Sequence, residues 1–314
     1  MIALPSASVV ILQGAERTPS ERNAAKLIEL MGGEVAFVRL PEGEAAEAAR
    51  FRQMIPRGAA IIARAGALAA AAIPDGVTVA GWLASVTSDA SQCFLFDFEA
   101  NGPCDRLLVE LTGGALLTVE TPTSRTGRLE VVAGEGAICR QLSGLAFDTE
   151  LHGSESVFVE GGNDASCSVL IRLGAKPLLI RSRFQSSALM LLASGEIVDP
   201  DESFRGRAPM AGLFSRLAPL LMFLRLIGGD RFWHNESPRA CFILDDPLLK
   251  PRYGFLDFDK LLSLMREESF STSIAFIPWN HRRSDRHVVD LFRRFSAYLS
   301  MSIHGCDHTG AEFA

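Results

Sequence analysis

Cysteine is scarce and scattered. The six thiols, Cys93, Cys104, Cys139, Cys167, Cys241 and Cys306, form no CxxC pair and are strung out along the chain. That spacing excludes a disulfide framework or a cysteine-rich zinc site and predicts buried or incidental thiols in a reducing compartment. Positive charge is not in excess either: Lys plus Arg is 31 against 37 for Asp plus Glu, a formal charge of −6. A general nucleic-acid binder shows a basic excess, so no nucleic-acid partner is expected. Long apolar runs are also missing. The most apolar stretches, residues 65–74 and 217–224, are bounded by Arg64 and Asp75 and by Arg216 and Arg225, short of the roughly 20 residues that cross a bilayer. No basic segment precedes the apolar residues 9–12, so they read as a first strand rather than a signal peptide. No membrane partner is expected, and the expected location is cytoplasmic. GxGxxG, Walker and GxSxG patterns are absent, which removes the common phosphate cradles and the serine-hydrolase elbow.

What is present is a globular composition, 48% apolar and 22% charged over 314 residues. Such a chain makes two domains or one large α/β unit and buries a core without staples. Residues 8–40 read as a β-α-β unit. Thr18 with Glu21 three positions on forms a capping box, Pro19 takes the first helical position, and Gly32 and Gly33 close the helix. Residues 58–63 read as a buried strand. From residue 92 to 185 the pattern is strand-rich, with expected strands at 93–98, 107–111, 116–120, 129–133, 156–160, 168–172 and 177–181. A helix is expected at 187–192. An apolar helical segment with Pro219 in it is expected at 210–228. The expected organisation is an N-terminal α/β domain over 1–229, a linker over 230–239 and a second α/β part over 240–314.

That last part alternates cleanly. Expected strands at 240–244, 272–277 and 299–303 are separated by helices at 257–268 and 285–299, a β-α-β-α-β pattern that argues for a parallel sheet or barrel. In such folds functional side chains gather where strands end. Asp245, Asp246, Trp279, Asn280, His281, His304 and His308 all fall at these ends. His304 and His308, four apart, can face the same way on one helical turn. With one carboxylate from another strand end they make a His₂-carboxylate set suited to Zn²⁺ or a similar divalent metal, with positions left open for water and substrate. The other carboxylate can then take a proton from water. The bland alternative is a turn capped by Asp245 and Asp246 with surface histidines.

These residues carry a resemblance. Residues 242–246, Phe-Ile-Leu-Asp-Asp, resemble the first motif of the polysaccharide deacetylase (NodB-homology) family, and His304-x-x-x-His308 resembles its second. The resemblance implies Asp245 as general base and Asp246, His304 and His308 as metal ligands. It implies a (β/α) barrel that hydrolyses an acetyl group from a carbohydrate. The wider text, Asp-Asp-Pro, Tyr253-Gly254-Phe255, residues 277–280 and 302–308, is similar to an uncharacterised branch of that superfamily. Two positions depart from the pattern: Pro247 follows the Asp pair in place of glycine, and Gly305 replaces a Ser or Thr. The resemblance covers only residues 240–314, and three strands do not close a barrel. The expectation is therefore an incomplete barrel: a piece of a longer protein, or a shortened relative that binds metal poorly and does not turn over.

An indole at Trp279 can stack on a sugar ring, Asn280 can read a hydroxyl, and His281 stands beside them. Arg282, Arg283, Arg286, Arg293 and Arg294 read as a solvated helix face or as contacts to an anionic sugar. Residues 231–314 hold as many acidic as basic residues, so the first part carries the negative charge. The β-α-β opening of the first domain is loosely similar to flavodoxin-like or amidotransferase-like domains. The expected function is metal-dependent removal of an acetyl group from a carbohydrate. The alternatives are a non-catalytic carbohydrate-binding or regulatory protein, a metal-dependent amidohydrolase on a non-sugar substrate, and a structural module.

Overall fold

The computed structural model describes residues 8–41, 51, 53–56, 58–73, 76–86, 92–162, 167–185, 187–201, 210–232 and 241–305. The chain divides into two compact units, Met1–His234 and Asn235–Ala314.

The first unit opens with β1 (Ser8–Gln13), α1 (Pro19–Leu30), β2 (Glu34–Arg39) and β3 (Ala60–Arg64). The capping box forms as the sequence predicts: the Thr18 hydroxyl accepts the Glu21 N–H at 3.3 Å and the Glu21 carboxylate accepts the Thr18 N–H at 2.7 Å. There follow α2 (Ala65–Ala69), α3 (Val79–Val86), β4 (Gln92–Phe96), α4 (Gly102–Thr112), β5 (Leu116–Glu120), β6 (Thr126–Val131) and α5 (Gly136–Cys139). The unit ends with β7 (Ala146–Glu150), β8 (Val157–Glu160), β9 (Cys167–Leu173), β10 (Lys176–Phe184), β11 (Ser187–Leu192) and α6 (Phe214–Gly228).

Nine of these strands form one sheet in the order β2-β1-β3-β4-β11-β10-β9-β6-β7, and β5 pairs with β8 outside it. From β2 to β11 every neighbour is parallel; from β11 to β7 every neighbour is antiparallel. Val9, Val10, Ile11 and Leu12 are all fully buried because both faces of the parallel half are covered. Val9, Ile11, Ile62 and Phe94 face α1 and α6, while Val10, Leu12, Ile61 and Leu95 face α2, α3 and α4.

Two expectations are corrected here. Residues 107–111 are helix, not strand: Asn101 accepts the Cys104 N–H at 3.0 Å to start α4, and Cys104, Leu107, Leu108 and Leu111 recur at helical spacing on its buried side. Ser187–Leu192 is strand, not helix, because it lies between β4 and β10 and is apolar towards both faces. The segment Ala211–Gly228 is long and apolar enough to cross a membrane by length and composition, beyond the shorter run 217–224, but 56% of it is buried inside the structure. Leu220, Met222, Phe223 and Leu224 join the core there. A 3₁₀ turn at Gly229–Arg231 occupies the start of the expected linker, and residues 233–240 lie outside the described ones.

The second unit contains β12 (Cys241–Asp245), a hairpin of β13 (Arg252–Tyr253) and β14 (Leu256–Asp257), α7 (Phe258–Glu267), β15 (Ser271–Phe276), α8 (Arg286–Arg294) and β16 (Leu299–Ile303). Both helices are capped by aspartate: Asp257 accepts the Lys260 N–H at 3.1 Å and Asp285 the His287 N–H at 2.8 Å. The strands are parallel in the order β12-β15-β16. Phe258, Leu262, Met265, Val288 and Leu291 of the helices pack on Ile274 and Leu299 of the sheet. Helix α8 stops at Arg294, five residues short of its expected end, and Phe295 serves as its C-cap.

Candidate metal and substrate site

The second unit builds its site around the end of β15. The β12–β15 ladder runs to Asp245 opposite Ala275, and the Asp246 N–H then donates to the Ala275 carbonyl at 3.1 Å. On the other side, the β15–β16 ladder runs to Ile303 opposite Phe276, and the His304 N–H donates to the Phe276 carbonyl at 2.9 Å. Successive carbonyls of a strand point to opposite edges, so Ala275 and Phe276 hold Asp246 and His304 on either side of β15.

The backbone at Asp246 has φ +60. A non-glycine residue in this region costs about 1–3 kcal/mol and persists where the surroundings over-determine it. The conformation ends the strand alternation there. Asp246 Oδ1 lies 3.4 Å from His304 Nε2, with both side chains 37% exposed. That carboxylate oxygen itself is shielded from solvent.

The separation has a chemical meaning. Tetrahedral zinc with nitrogen and oxygen ligands near 2.0–2.1 Å sets neighbouring ligand atoms about 3.3 Å apart. The carboxylate oxygen and imidazole nitrogen therefore fit two corners of one metal polyhedron. Among the described residues no group of three His, Cys, Asp or Glu side chains converges on a metal position. The expected third ligand, His308, lies outside the described residues. Asp245, the expected base, is exposed at the last position of β12 and makes no ion pair with a described residue.

The expected substrate residues follow β15 in a 3₁₀ turn, Pro278–Arg283. Trp279 is 75% exposed. Asn280 Oδ1 accepts from Arg283 Nη1 at 3.4 Å, and His281 Nδ1 lies 3.1 Å from the Pro278 carbonyl. The turn thus leaves the indole exposed, while Asn280 is tied to the Arg283 side chain and His281 to the turn's own backbone.

The first unit has a polar feature that no sequence motif announces. Arg64 ends β3 and Asp97 follows β4, so they meet at the carboxyl edge of the parallel strands. Arg64 Nε and Nη2 both contact Asp97 Oδ2 at 2.6 Å. Asp97 has φ +62, its N–H donates to the Ser194 carbonyl at 3.0 Å, and its carboxylate lies over Gly195 where a side chain would stand. Further along, Glu196 accepts from Ser154 at 2.6 Å and from Arg216 at 2.5 Å. Burial works to raise the Glu196 pKa, yet the Ser154 and Arg216 bonds hold it below the ordinary 4.5. The only advance signal is a charged residue directly after an apolar strand.

Comparison with protein-family models and with curated proteins gives no match. Among solved structures, the crystal structure of Agd3, described as a novel carbohydrate deacetylase, is similar with a TM-score of 0.49 at 10% identity over 87% of this chain and 43% of that one. This chain therefore spans less than half the length of that protein. A cytoplasmic protein from Salmonella typhimurium LT2 has a TM-score of 0.39 at 13% identity, over 70% of this chain and 98% of its own. A second cytoplasmic protein from Salmonella typhimurium has a TM-score of 0.43 at 11% identity, over 68% and 97%. The described residues define a mixed α/β fold with a large central sheet.

Proposed function

We propose that this chain carries the metal-binding end of a hydrolase that removes an acetyl group from a carbohydrate. The observation that supports the reading is the approach of Asp246 Oδ1 to His304 Nε2 at 3.4 Å across the end of β15. Asp246, His304 and His308 would hold the metal, with zinc the ion best suited to an oxygen and two imidazole nitrogens. When bound, such a metal supplies a Lewis acid for a carbonyl and a water of lowered pKa. The chain's own residues do the rest. Asp245, exposed beside the pair, accepts the proton released from the attacking water. Trp279 offers its ring to a sugar face, and Asn280 orients a hydroxyl.

The first unit is read as a flavodoxin-like domain, on its parallel order β2-β1-β3-β4. The second unit is read as the opening β-α-β-α-β of a deacetylase-like barrel, which needs further strands to close.

The test is acetate release from acetylated oligosaccharides by the zinc-loaded chain, with D245N and H304A as controls. Release that requires Asp245, His304 and metal supports the reading. Sugar binding without release in any metal would replace it with a carbohydrate-binding protein.

A further inference from the structure

The turn that leaves β15 carries more positive charge than a metal site needs. Residues 278–286 contain Arg282, Arg283 and Arg286 against the single acid Asp285, in a chain of net charge −6. The topology divides the five arginines seen in the sequence. In a β-α-β crossover, the turn after a strand and the first residues of the next helix lie at the strand's carboxyl end, and the last turn of that helix lies at the opposite end. Arg282, Arg283 and Arg286 therefore stand at the end where Asp246 meets His304. Arg293 and Arg294 lie about 10–12 Å further along α8, at 1.5 Å per residue.

Their surroundings differ too. Arg282 and Arg286 are exposed and make no ion pair among the described residues, and Arg283 is steadied by Asn280 Oδ1. Arg293 is engaged with Asp290 at 3.6 Å on its own helix. The Asp285 Oδ1 is already used to cap α8. Asp245, Asp246 and Asp285 match the three arginines in number at this end, so an anion is held there by direct pairing with exposed guanidinium groups rather than by net positive charge. Exposed arginines three to seven residues after an exposed indole match a ligand that stacks a ring and carries anionic groups.

We propose that the glycan taken at this end is anionic, a sugar chain bearing carboxylate or phosphate groups, gripped by Arg282, Arg283 and Arg286 beside Trp279. Calling it a substrate rests on the Asp246–His304 reading; the recognition of the anionic glycan rests on the arginines and Trp279, not on a metal.

Calorimetric titration of the full chain after chelation tests this, with tetragalacturonate, glucose 6-phosphate and the neutral tetramer of N-acetylglucosamine as probes. The proposal predicts at least about tenfold tighter binding of an anionic probe than of the neutral one, as charge-assisted pairing requires. R282Q/R283Q and W279A should each weaken that binding, R282K/R283K should retain most of it, and R293Q/R294Q should leave it unchanged. Preference for the uronate or for the phosphate names the anion, and either supports the proposal. Equal affinity for the neutral tetramer, no binding of either anion, or an equal loss in R293Q/R294Q overturns it. Because these titrations contain no metal, a failed metal titration would refute the metal site without altering this result.

Discussion

Asp246 and His304 are 58 residues apart in sequence, yet one strand holds them 3.4 Å from each other. Each hangs from a carbonyl at the end of β15, one from Ala275 and one from Phe276. These two backbone hydrogen bonds set where each residue leaves its strand, so the spacing of the pair follows from the register of the parallel ladders on either side of β15.

The Arg64–Asp97 pair makes a prediction about packing. A methyl group at Gly195 would collide with the Asp97 carboxylate. Gly195→Ala should therefore pull Asp97 off Arg64 and destabilise the first unit by about 1–3 kcal/mol, the usual range for overpacking. Urea denaturation measures it, and D97A added to G195A should recover part of the loss. An unchanged midpoint in G195A would contradict the packing described.

Glu196 makes a prediction about pH. Its folded pKa is depressed by Ser154 and Arg216 against the opposing effect of burial. A depressed carboxyl contributes stability above its unfolded pKa, near 4.5, and loses it as pH falls through the lower folded value. The stability gap between the wild-type chain and E196Q should be fully open at neutral pH and close in acid below that unfolded value. A gap that stays constant through the acid range would show that the carboxylate is not held as described.

Cys93 makes a prediction about reactivity. Burial pushes its thiol up to about 12, so at pH 8 only roughly one molecule in ten thousand carries the reactive thiolate. Iodoacetamide should leave Cys93 unlabelled in the native chain and label it in urea. Native labelling at Cys93 on the same timescale as in urea would contradict its place in the core.

Local signals carried over into structure faithfully. Thr18, Pro19 and Glu21 form the predicted cap because capping depends on residues within one turn. The β-α-β-α-β order of residues 241–303 was legible because strand and helix periods alternate there without interruption. Residues 107–111 and 187–192 are read wrongly from sequence because five or six mostly apolar residues fit either period. Only Asn101 in one case, and the β4 and β10 neighbours in the other, decide between them. The antiparallel extension β10-β9-β6-β7 depends on long-range pairing that no short window contains. The same division holds for polar residues. Asp246 and His304 were visible as strand-end residues in a recognisable pattern. Arg64 and Asp97 were not, since their meeting depends on β3 and β4 being neighbours.

The most direct measurement is a Co²⁺ titration of the chelated full chain, read by visible absorption, in the wild type and in D246N, H304A and H308A. One site per chain, with tetrahedral absorption that disappears in each of the three variants, is the predicted result. Undiminished Co²⁺ binding in D246N and H304A would contradict the claim that these two residues share a metal.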